Sequence, residues 1–164
     1  MKSMQIIMSI ILMVIMLAAA CGRQPQILVS LFPETIGELQ RVQLVADVKA
    51  LEKINKLHGK EIEVEEGAIG TYQTDNEPPA MVWISRSKTP DLARHQTEVM
   101  IDRMLSSPHS PFHHPTQWEL RGINICQFQG MGQIHYIFCR HDLVYWISAA
   151  ASQGDKILQA FLPG

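Results

Sequence analysis

Ile134-His135-Tyr136-Ile137-Phe138-Cys139-Arg140, followed after only His141-Asp142 by Leu143-Val144-Tyr145-Trp146-Ile147-Ser148, is the stretch that decides the fold. Short runs rich in Ile, Val, Tyr, Phe and Trp, bounded by polar or glycine residues, are strand signals. A third run, Trp118 to Phe128, precedes them across Gln129-Gly130-Met131-Gly132-Gln133. Connections this short have no room for a crossover, so the three strands are expected as an antiparallel meander.

Working upstream, Thr89-Pro90-Asp91 supplies an N-cap, a proline at the first helical position and an acid in the first turn. The helix is expected to reach about Leu105, with Ala93, Thr97, Met100, Ile101 and Met104 as its inner stripe. Pro108, Pro111 and Pro115 then predict an extended, exposed loop. Met81 to Ile84 reads as a strand after the turn Asp75-Asn76-Glu77-Pro78-Pro79. Glu61 to Glu65 and Ala68 to Gln73 alternate with period two.

Asp47 caps a helix through Leu57 with Val48, Leu51 and Ile54 inward, and Gly59 stands where a left-handed C-cap belongs. Val42 and Leu44 suggest a short strand, and Phe32-Pro33-Glu34 a turn or short helix. A last helix is expected over Gln153 to Phe161. The set predicts one α+β domain over 27–164, a two-layer sandwich of mainly antiparallel sheet with helices on one face.

Cys126 and Cys139 flank the middle break. A two-residue Gly132-Gln133 turn, glycine first, places them directly opposite in a non-hydrogen-bonded pair, close enough for a disulfide. The alternatives are two buried free thiols, or a turn at Gly130-Met131, which removes the pairing.

His109, His113 and His114 lie within the proline-rich segment. Neutral imidazoles ligate zinc, copper or nickel. The spacing matches no zinc signature, however, and no acid or cysteine stands close by, so a solvated loop without bound metal is expected. His58, His135 and His141 read as cap and turn residues.

Enzymatic signatures are sparse. Gly130-Met131-Gly132 lies between strands, where it serves a turn rather than a phosphate. No Gly-x-Ser-x-Gly elbow is present. Glu61, Glu63, Glu65 and Glu66 read as a water-facing acidic strand face, and Trp83, Trp118 and Trp146 as core. No cofactor and no catalytic set is expected. Scattered Lys and Arg give no footprint for nucleic acid.

The N-terminal run Ile6 to Ala20 carries no charge, follows Lys2 and closes on small residues, which is the layout of an export signal over 1–20. At the helical rise it spans roughly 22 Å, short of the ~30 Å hydrocarbon core. An uncleaved anchor is therefore the weaker reading, and plain secretion with cleavage after Ala20 is the other rival. Removal of residues 1–20, whose only charged side chain is Lys2, takes the formal net charge from −2 to −3 and removes five of the nine methionines.

Leu17-Ala18-Ala19-Ala20-Cys21-Gly22 resembles the lipobox of bacterial lipoprotein precursors, with Leu17 one place earlier than the pattern prefers. The resemblance covers about the first 22 residues and no more. It implies cleavage before Cys21, diacylglyceride on its sulfur, a tether over 21–26, and an extracytoplasmic cell-envelope location, with Gly22 pointing to an outer membrane where the host has one. The expected function is a membrane-anchored, non-enzymatic binding or structural module with the membrane and an envelope protein as partners. The alternative is a metal-handling protein using the His109/His113/His114 segment.

Overall fold

The computed structural model describes residues 27–58, 62–75 and 77–162. The expected signal 1–20, Cys21, the tether 21–26, the Gly59 cap and Glu61 lie outside the described residues.

After a 3-10 turn at Leu28–Leu31, the chain forms β1 (Thr35–Ile36), β2 (Leu39–Ala46), α1 (Asp47–His58), β3 (Val64–Gln73), β4 (Ala80–Ser87) and α2 (Pro90–Ser106). It continues through β5 (Phe112–Leu120), β6 (Ile123–Gly130), β7 (Gln133–Arg140), β8 (Leu143–Ala149) and α3 (Gly154–Phe161). The strands make one eight-stranded sheet in the order β1-β2-β3-β4-β8-β7-β6-β5, antiparallel at every junction. Two four-stranded meanders thus meet at β4 and β8. Helix α2 carries the chain from one to the far edge of the other.

The architecture is α+β, but the helices do not share a face. Strand residues alternate sides, and that alternation sorts the core. Tyr72, Val82, Ile84, Tyr136, Phe138, Tyr145 and Ile147 point to one side, where Ile157, Leu158 and Phe161 of α3 and Phe32 pack on them. Phe161 meets Phe32 and Tyr72 edge-on at 5.7 and 6.3 Å. Burying each such side chain contributes roughly 1.5–3 kcal/mol. Cys126, Phe128 and Ile137 point to the other side, under Met100, Ile101 and Met104 of α2. Helix α1 lies on that second side as well, since Ala50 and Ile54 crowd Gly67 of β3. Both sheet faces are apolar, so both need a cover.

Several sequence expectations change in detail. Val48 is 68% exposed, whereas Ala50 and Ile54 are buried; contact with Gly67 sets the phase of α1. The expected Trp118–Phe128 strand is a hairpin, with Leu120 paired to Ile123 across Arg121-Gly122, both at positive φ. The proline-rich loop is shorter than expected, because Phe112 begins β5 and Pro115 sits within it. β5 is an edge strand with a register break between His113 and Thr116, where a missing N–H is tolerated.

The cysteine register is corrected too. The β6–β7 turn is Met131-Gly132, with φ of 53° and 75°, the two positive values of a type I′ hairpin. Cys126 consequently faces Ile137 rather than Cys139. Both cysteines are free thiols, and the direct opposition that favoured a bridge is absent.

Candidate functional site

Helix α2 builds one wall of an open depression on the described surface. Its start follows the sequence closely: Thr89 Oγ1 accepts from the Leu92 amide at 3.1 Å, relieving one orphan helix donor. Gln96 then fastens the helix from its side. Its Oε1 accepts from Ser87 Oγ at 2.6 Å, and its Nε2 donates to the Glu63 carbonyl at 3.0 Å. Ala93 and Thr97 are the buried residues of α2, so the N-terminal half sits close to the sheet. Further along, the contacts pass to Met100, Ile101 and Met104.

Next to the sheet-facing stripe runs a second one. Leu92, His95, Gln96, Val99, Met100 and Arg103 recur at helical spacing and line an open groove of 590 Å³. Ile62, Glu63 and Trp146 also line it, as do Ser107, His109, Ser110, Pro111 and Phe112 from the segment after α2. A smaller cavity of 40 Å³ shares Ile62, Gln96, Met100 and Trp146 with the groove and reaches Ile54, Trp83 and Val144. A concave, mostly apolar site of several hundred Å³ with a few polar groups is the usual form of a small-molecule seat.

The floor is held by a polar network. Trp83 and Trp146 are register partners across β4 and β8, and their rings stack with centroids 6.4 Å apart. Trp146 Nε1 donates to His135 Nδ1 at 3.2 Å. His135 is 1% exposed. Its Nδ1 also lies 3.0 Å from Ser148 Oγ, and its Nε2 3.0 Å from the Gly130 carbonyl. A carbonyl can only accept, which assigns the proton to Nε2 and leaves Nδ1 to accept from both Trp146 and Ser148. The neutral imidazole satisfies every contact, and burial holds its pKa below the usual histidine range, against a smaller raising contribution from the Gly130 carbonyl.

Phe112 closes this corner, edge-on to His135 at 5.0 Å and to Trp146 at 6.1 Å. Gly130 permits the approach. A Cβ there would stand 2.7 Å from the Pro111 carbonyl and 2.9 Å from Phe112 Cδ1.

The sequence-expected residues scatter. His109 reaches the groove rim. His113 and His114 stand on edge strand β5, exposed, with their rings 4.7 Å apart. Among the described residues no group of three or more His, Cys, Asp or Glu could hold a metal ion. Cys126 lies under α2, where burial pushes its thiol up, partly offset by a hydrogen bond from Gln117. His141 is a turn residue between β7 and β8, but His135 belongs to the core rather than to a turn. Glu66 leaves the acidic run to pair with Arg86, which also pairs with Asp142. Trp83 and Trp146 are half-buried around the groove rather than sealed in the core. Their strand alternation was legible, but the register partnership that stacks them was not.

The chain matches no family model, no curated protein and no solved structure.

Proposed function

We propose that this chain is a lipid-anchored binding module of the cell envelope, non-enzymatic, which receives an apolar or amphipathic ligand in the groove beside α2. The observation that carries the binding role is the groove itself, an open depression of 590 Å³ in which Leu92, Val99, Met100, Met104, Phe112 and Trp146 supply apolar surface beside the polar His95, Gln96 and Arg103. Met100 and Met104 line it, and methionine adapts to irregular ligand shapes. The anchor rests on the lipobox resemblance of Leu17 to Gly22. A diacylglyceride supplies two chains at once, where a single chain gives only reversible membrane binding.

Two measurements on the expressed full chain test this reading. Metabolic labelling with a fatty acid is expected in the wild-type band and absent from Cys21→Ser. If both are unlabelled and the wild type is soluble, plain secretion replaces the anchor. An uncharged, polarity-sensitive dye is expected to brighten with wild type and to lose that response with Met104→Glu. An unchanged response would move the binding site elsewhere.

A further inference from the structure

We infer that the occupant of this groove is a long-chain alkyl carboxylate, lying along α2 with its head at Arg103 and its tail directed toward Trp83. The inference rests on the groove being a ligand seat, and it names the ligand class from three features of the lining.

The first is the path. From Arg103 to Gln96, which also lines the small cavity, α2 runs about 10 Å at 1.5 Å per residue, and the path then turns down to Trp83 on the sheet, a course that one bent alkyl chain can follow. The second is the taper. The 590 Å³ groove adjoins a cavity of 40 Å³, with which it shares Ile62, Gln96, Met100 and Trp146 and which Ile54, Trp83 and Val144 also line. That end is little larger than one water's share of liquid, about 30 Å³. It accepts the methyl end of a single chain and has no room for a second tail.

The third is charge. Arg103 and Glu63 are the two full charges among the lining residues, accompanied by His95 and His109. Among the described residues neither Arg103 nor Glu63 makes an ion pair. Arg103 is exposed at the last turn of α2, so its fork is open to a planar carboxylate, which it matches in a bidentate fashion. A cation in the last helical turn also complements the helix dipole, but that role does not distinguish one ligand head from another.

The test uses the full chain in nanodiscs of zwitterionic lipid and three photoreactive probes with the same alkyl chain: a palmitate, the matching alcohol and the matching trimethylammonium. Crosslinks are mapped by mass spectrometry. The palmitate probe is expected to label peptides containing Met100, Met104 and Trp146 about three- to fivefold more than the alcohol, the range of an exposed ion pair. Arg103→Gln should bring the palmitate down to the alcohol and leave the alcohol unchanged, whereas Arg103→Lys should keep part of the preference. About 0.5 M salt should narrow the gap. Equal groove labelling by palmitate and alcohol, or a preference for the cation, overturns the carboxylate assignment while leaving the groove as a ligand seat. No groove labelling by any probe overturns both.

Discussion

His135 couples the floor of the groove to pH. Replacing it by phenylalanine keeps an aromatic volume but removes both ring nitrogens. Trp146 is half-buried and can turn to water. The Gly130 carbonyl and Ser148, which is 8% exposed, lose partners inside the sheet. Two buried polar groups without partners, at about 1–3 kcal/mol each, give an expected loss of about 2 kcal/mol or more near neutral pH.

The pH dependence is the sharper readout. The folded pKa lies below the unfolded value of about 6.5, so below that pH the unfolded chain binds a proton that the folded chain refuses. Stability from this group is fully present above pH ~6.5 and is lost as pH falls toward the folded pKa. Stability contributed by this group therefore falls between pH 7.5 and 5.5, in the sense set by the lowered folded pKa. Urea unfolding followed by tryptophan emission at both pH values, on wild type and His135→Phe, measures it. The wild type should lose more stability than His135→Phe between the two pH values. Parallel profiles would refute the neutral, doubly accepting assignment of Nδ1.

Two further outcomes follow from the packing. Gly130→Ala is expected to cost about 1–3 kcal/mol through crowding and to displace Phe112 from His135, read as reduced stability together with a shifted Trp146 emission. Cys139, which is partly exposed, should alkylate before Cys126, which is buried with a raised pKa. Alkylation without reductant should modify both thiols on unfolding, and recovery of a disulfide-linked peptide would contradict the free pair.

Helix α2 was legible in the sequence because its signals are local. Thr89, Pro90 and Asp91 act within one turn, and the observed Thr89–Leu92 bond is the one that spacing predicts. β7 and β8 were legible for a similar reason, since seven or eight residues of strand-forming side chains leave no competing period. The α+β class with a mainly antiparallel sheet follows from those elements together.

The cysteine register shows where local information stops. Turns at Gly132-Gln133 and at Met131-Gly132 differ by two residues in pairing, and a two-residue slip leaves every side chain on its original face. Hydrophobic alternation therefore cannot tell the two registers apart. What distinguishes the observed pairing is long-range fit: Phe128 opposite His135 and Cys126 opposite Ile137 under α2. The same holds for α1, where Val48 and Ala50 are both plausible inward residues until Gly67 of β3 supplies a surface without side chains.

The groove lay further still from view. Its walls come from Ile62, the 92–107 helix face, Phe112 and Trp146, segments whose separation in sequence carries no mutual signal. By itself the sequence determined the Thr89 cap and the strand-forming runs, because each depends on neighbours a few residues apart. Which sheet face each helix covers, which residue faces which across a hairpin, and which apolar stripe is left open were decided by tertiary packing, since each depends on surfaces that exist only once distant strands have met.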